Sequence, residues 1–190
     1  YKDELIDPYG KLNPVFDDEI YFQKTPFIKT DYLGILVDDS LELSSASSLS
    51  HKKVRRAINY AINREEMVRF LRNNSVYPAG HGFIPRGLPS FDEDANYGFH
   101  YDLEKAKQLL SEAGYPMGEG LDEIIISTTS DYIDLCEYIQ HQLGQIGIQI
   151  KVDILPGSTH REYVSKSKVL MFRKSWLADY SDAENFLGLF

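Results

Sequence analysis

EIIISTTSDYIDLCEYIQHQLGQIGIQIKVDI, residues 123–154, decides the fold of this chain. Glu123 to Thr128 is a β-branched run, Asp131 to Leu143 repeats apolar residues at helical spacing, and Ile146 to Ile154 reads as a second strand. The intervening helix is too long for a hairpin turn. A parallel pair with a helical crossover is therefore expected. Cys136 falls on the helical pattern Tyr132, Ile133, Leu135, Ile139, where a small buried apolar residue fits. It is the only cysteine, which rules out an internal disulfide and a cysteine-based zinc site.

The same alternation of elements continues on both sides. Downstream, a helix is expected over Ser158 to Ser165 and a strand over Val169 to Ser175, with Asp182 capping a last helix that the chain end cuts at Phe190. Upstream, Thr30 to Val37 reads as a strand. Ser50 is the expected N-cap of a helix over Lys52 to Ile62, whose apolar face is Val54, Ala57, Ile58 and Ala61. Asn63 can cap a further helix, Arg64 to Leu71, with Glu65 and Glu66 favoured in its first turn by the helix dipole. A long connection, residues 73–100, carries Pro78, Gly80, Gly82, Pro85, Gly87 and Pro89. Asp102 then caps a helix stopped by Gly114. Residues 1–28 are polar and loop-like, a leading segment or linker ahead of an α/β body over 29–190.

Composition narrows the function. With 43% hydrophobic and 26% charged residues, the chain is built like a folded soluble protein. Its net charge of −9, from 20 basic and 29 acidic residues, opposes an extended nucleic-acid surface. The short basic cluster Lys52, Lys53, Arg55, Arg56 reads as a solvated helix face. No apolar run is long enough to span a bilayer. Tyr1 opens directly into polar sequence, so the chain is taken as an excised segment.

Catalytic patterns are absent. The five histidines have no tight metal spacing, no phosphate-cradling glycine loop precedes Lys-Ser/Thr, and no Gly-x-Ser-x-Gly elbow is present. No cofactor or metal is expected. What stands out is Phe172-Arg173-Lys174-Ser175-Trp176-Leu177-Ala178-Asp179-Tyr180-Ser181-Asp182, which holds the only tryptophan. An aromatic plane and a carboxylate at a strand end can hold an organic cation. Locally the plainer account is a core Trp176 and an Asp179 that caps a helix.

Five segments together resemble one family, the large extracytoplasmic solute-binding proteins of peptide-type ABC importers, which also includes nickel and some sugar binders. They are Val54 through Glu65, with Asn63 where Asp is usual; Phe83-Ile84-Pro85-Arg86-Gly87-Leu88-Pro89; Tyr101 through Tyr115, with Leu103 for a common Pro; Leu143 through Ile148; and Trp176-Leu177-Ala178-Asp179-Tyr180. The likeness runs in order from about Leu33 to Phe190.

The resemblance implies one lobe of a two-lobed periplasmic-binding-protein fold, a mixed sheet flanked by helices, with the N-terminal lobe of the same protein absent. It implies a binder and not an enzyme, working with membrane permease subunits in the periplasm or at the cell surface, free or lipid-anchored. Asp179 would hold the α-ammonium of a peptide, the backbone of Ser175 to Leu177 would pair with it, and Trp176 would line the cavity. Arg173 matches a position that meets a ligand carboxylate in some members. The Trp-x-x-Asp spacing favours peptide over nickel. The alternatives are an oligosaccharide or nickel-chelate binder, and an α/β hydrolase.

Overall fold

The computed structural model describes residues 2–16, 18–95 and 97–189. Its strands are β1 (Lys29–Ile35), β2 (Ile124–Thr128), β3 (Ile150–Ile154) and β4 (Met171–Leu177), in one sheet of order β1-β4-β2-β3. The α-helices among the described residues are α1 (Lys2–Leu5), α2 (Glu42–Ser45), α3 (Lys52–Ala61), α4 (Arg64–Arg72), α5 (Leu103–Glu112), α6 (Ile133–Gly144), α7 (Gly157–Ser165) and α8 (Glu184–Leu187). Two compact units form. One is Asp31–Asn63 with His100–Ser175; the other is the chain up to Thr30, Arg64–Phe99 and the chain from Trp176 onward.

The first of these units is organised by the β2-α6-β3 crossover. β2 pairs parallel with β3 from Ile124↔Ile150 to Thr128↔Ile154, and parallel with β4 at Ile126↔Met171. β1 lies antiparallel to β4, since Leu36 N–H donates to the Leu170 carbonyl and Ala178 N–H to that of Ile28. The sheet is therefore mixed. Ile124 and Ile126 are buried while Ile125 between them is exposed, as the period of a strand dictates. α6 buries Cys136, Ile139 and Leu143 at i, i+3 and i+7. Burial also pushes the Cys136 thiol up, so it stays protonated.

α3 and α5 meet through small residues. Ala57, Ala61 and Ala106 are fully buried, which lets the two backbones approach closely. Asp102 caps α5 as expected, accepting from Lys105 N–H at 2.9 Å, and its own N–H donates to the Tyr60 carbonyl. The start of α3 departs from expectation. His51, not Ser50, is its N-cap, because Ser48–Ser50 forms a 3-10 turn of its own that Ser47 caps. The basic cluster is solvated as expected at Lys52, Lys53 and Arg56, with Lys53 pairing with the exposed Glu112; Arg55 alone is half-buried and donates to the Leu49 and Ser50 carbonyls.

The strand expected from Ile146 begins only at Ile150. Gly147 has φ +81°, its N–H donates to the Gly144 carbonyl, and Ile148 N–H reaches back to that of Leu143. This is a Schellman ending, in which the Ile148 and Leu143 side chains are both buried. It consumes residues whose Ile-x-Ile spacing imitates a strand.

The other unit is pinned by side chains more than by ladders. Phe186 of α8 is fully buried and stands edge-on to Phe83, ring centres 6.2 Å apart. Thr30 Oγ1 donates to the Phe83 carbonyl at 2.9 Å. At the end of α4, Asn73 and Asn74 adopt positive φ and donate to the Ile6 and Pro8 carbonyls of the leading segment. Arg86 organises the long connection by lying over Tyr77 and Phe91 and pairing with Glu93 at 2.8 Å. The last helix is not cut by the chain end as expected: α8 ends at Leu187 with Gly188 as its C-cap, whose N–H donates to the Glu184 carbonyl; Phe190 lies outside the described residues.

Two predictions follow from the first unit. Gly147→Ala forces a side chain into a left-handed conformation and against the Met117 carbonyl; denaturant titration should show a loss of about 1–3 kcal/mol. Gly144→Ala, with open space around it, should be neutral or gain up to about 1 kcal/mol. Equal effects at the two positions would refute this helix ending.

His160 of α7 is buried, with Nε2 3.2 Å from the Ser127 carbonyl, which accepts. Burial holds its pKa below the ordinary histidine range; the Ser127 bond opposes this, and Lys174, Arg173 and Arg161 reinforce it. The unfolded chain thus takes up a proton first as pH falls below about 6.5. Stability contributed by the neutral ring is present above that value and declines below it. Denaturation midpoints at about pH 7.5 and 5.5 should fall less in His160→Gln than in the wild type. An equal fall in both would clear His160 of the effect.

Candidate functional site

β4 runs two residues further than its sequence suggested. Trp176 and Leu177 lie inside the strand, and Ala178 N–H continues the pairing by donating to the Ile28 carbonyl at 3.0 Å. The chain then leaves the sheet. Trp176 is half-buried, Leu177 is 52% exposed, and Asp179 and Tyr180 are exposed.

Leaving a sheet orphans backbone donors, and each needs a new acceptor. Here one side chain provides it. Asn185 Oδ1 accepts from Asp179 N–H at 3.1 Å and also from the Trp176 indole Nε1–H at 2.8 Å. Asn185 lies on α8, whose first turn is set by Asp182: its Oδ1 accepts from Glu184 N–H at 2.8 Å. The buried Phe186 beside Asn185 anchors that helix. The N-cap of α8 is Ala183 and not the expected Asp182; Asp182, one residue earlier, accepts from Glu184 N–H just ahead of the helix. The Asp179 carboxylate is exposed and, among the described residues, has no hydrogen-bond or ion-pair partner.

The Asp179 carboxylate stands on a tethered backbone, three residues after an indole whose N–H bonds the same Asn185 oxygen, and an exposed carboxylate is suited to an organic cation. Carboxylates pair with ammonium groups through short charge-assisted bonds. Leu177, the next residue of the strand, is exposed on the face opposite to that of Trp176.

The other two residues expected at the site lie in the unit of α3, α5 and α6. Ser175 is half-buried in β4. Arg173 is 8% exposed, ion-paired with Asp31, and its guanidinium stands 3.0 Å from the Tyr132 ring centre. Its Nε is buried without a partner. Burial pushes the nearby Tyr32 hydroxyl up, with the Arg173 charge opposing. The Arg173 charge is thus already answered within the chain. Asn185 was missed in the sequence because a single Asn in a short acidic stretch has no periodic or spacing signal. Its only trace is its place just before Phe186.

Comparison with known proteins gives the family. Residues 9–190 match the family "Bacterial extracellular solute-binding proteins, family 5 Middle". Over 138 residues the chain is 33% identical to the glutathione-binding protein GsiB of Salmonella choleraesuis (strain SC-B67), covering 70% of this chain and 26% of that protein. The chain thus spans about a quarter of that relative's length. Among solved structures it resembles the ABC transporter-associated periplasmic binding protein DppA of Helicobacter pylori in complex with peptide STSA, with TM-score 0.70 and 26% identity over 87% of this chain and 30% of the other. It also resembles the binding protein AgaA of A. tumefaciens R10 in complex with agropinic acid, with TM-score 0.64 and 28% identity over 84% of this chain and 32% of the other. These relatives are solute-binding proteins, not enzymes. With α/β architecture, a mixed sheet and a family match along nearly its whole length, the chain belongs to the bacterial extracellular solute-binding proteins of family 5.

Proposed function

We propose that this chain is part of the solute-binding component of an ABC importer and that its ligand is a peptide held by its α-ammonium and main chain. Asp179 receives the ammonium, Trp176 lines the ligand, and the backbone of Ser175 to Leu177 adds the ligand as an extra strand. Residues 29–190 belong to the C-terminal lobe and residues 1–28 lead into it. The N-terminal lobe of the same protein closes over the ligand, and closure is driven by contacts that only the closed state makes. The loaded protein hands its ligand to membrane permease subunits outside the cytoplasm.

The observation that carries this reading is the Asp179 carboxylate: exposed, without a partner among the described residues, and set on a backbone that Asn185 holds. Arg173 takes a different part from the one its resemblance implied. Its pairing with Asp31 and Tyr132 supports a role in stiffening β4. The peptide and glutathione ligands in the names of related proteins add support, since both carry a free α-ammonium. Likeness to an agropinic acid binder keeps a second solute class in view.

Calorimetry on the complete two-lobed protein tests this. A free-amine tripeptide library and its N-acetylated counterpart serve as probes, with wild type and Asp179→Asn. Hydrogen bonds to charged groups are worth about 1.5–3 kcal/mol, so either blocking the amine or removing the charge should weaken binding about 10- to 100-fold. Making both changes should cost little more than one, because they remove the same contact. Additive losses, or an unchanged affinity in Asp179→Asn, would remove Asp179 from the ammonium site. Tight binding of the acetylated library by the wild type would favour the other solute class.

A further inference from the structure

We propose that Asn185 is the positioning residue of this site: a single side-chain oxygen that holds Trp176 and Asp179 together as one unit. The geometry is specific. An amide oxygen has two lone pairs, and both are used, one by the indole Nε1–H of Trp176 at 2.8 Å and one by the backbone N–H of Asp179 at 3.1 Å. Asn185 is the acceptor that the chain supplies to both donors. An indole N–H can only donate, and the Asp179 amide has just left the strand whose ladder ended at Ala178.

Asn185 is itself held from both sides. The Asp182 carboxylate accepts from the N–H of Glu184, fixing the first turn of α8. Phe186, fully buried, packs edge-on against Phe83. Position thus passes from a buried aromatic contact, through one amide, to an indole plane and a carboxylate that are three residues apart in the chain. The arrangement leaves the Asp179 side chain exposed and unengaged while its main chain is tethered. Such preorganisation reduces the ordering that a ligand would otherwise have to impose. The consequence for ligand affinity rests on the peptide reading given above; the tether itself does not.

Hydrogen exchange in the complete, isotopically labelled protein tests the tether without any ligand. The indole resonance is assigned by its loss in Trp176→Phe. Asn185→Leu keeps volume and removes the acceptor, whereas Asn185→Asp keeps an acceptor oxygen in place. Exchange of the Trp176 indole N–H and the Asp179 amide should accelerate together by about tenfold or more in Asn185→Leu and stay within about threefold of wild type in Asn185→Asp. Asn185→Ser, too short to reach either donor, gives the same comparison where the Leu variant fails to fold. Unchanged exchange at both donors in the Leu or Ser variant would overturn the proposal, as would acceleration at only one. A merely destabilised fold would speed exchange throughout the unit, not at these two donors alone, and that outcome also counts against it. Binding of the free-amine tripeptide library forms the second arm. Its affinity should fall about tenfold in Asn185→Leu and recover in Asn185→Asp. If the wild type binds no tripeptide, the peptide reading fails, while the exchange result still decides the tether.

Discussion

The constraint on which the site depends is the backbone accounting at the end of β4. The strand is paired by β2 at Met171 and Phe172 and runs antiparallel to β1 as far as Ala178. Beyond that point no ladder remains, yet the next amide still needs an acceptor. Had the Asp179 side chain turned back to satisfy its own neighbourhood, as Asp commonly does near a helix start, its charge would have been used up inside the chain. Asn185 and Asp182 take over those duties instead. The result is a carboxylate held in place but left unengaged.

Much of this was legible in the sequence, and the misses have physical causes. The β2-α6-β3 crossover announced itself through length: a twelve-residue helix cannot join hairpin strands. The Asp102 cap and the α3 apolar face followed from spacing alone. Ile146 and Ile148 misled because a Schellman ending buries the same alternating residues that a strand would, and only the left-handed Gly147 tells them apart. Ser50 misled because any of several serines could cap, and the 3-10 turn shifted the helix start to His51. At the site, Trp176 stood out as the only tryptophan and Asp179 as the acid that follows it at a strand end. Asn185 did not, since its role depends on the chain folding back nine residues. Arg173 stood out too, but a sequence does not reveal that Asp31 and Tyr132 already engage its guanidinium.

The family gives the class of the chain, and the local chemistry suits the contact proposed for it. Main-chain pairing and an ammonium–carboxylate contact are common to all peptides, so they provide affinity without selecting side chains. Sequence tolerance then needs roomy, hydrated side-chain pockets, where water completes the polar contacts. In the reading proposed here, this part of the protein contributes the fixed electrostatic anchor. The remainder, about three quarters of the length of the GsiB relative, would contribute enclosure and docking.

The account is tested most directly by the structure of the complete protein closed on a tripeptide with a free amino terminus. It predicts the ammonium nitrogen about 2.7–2.9 Å from an Asp179 carboxylate oxygen, with the ligand backbone extended alongside Ser175 to Leu177. A bound peptide whose amino terminus faces solvent, or is held by another group while Asp179 stays bare, would contradict it.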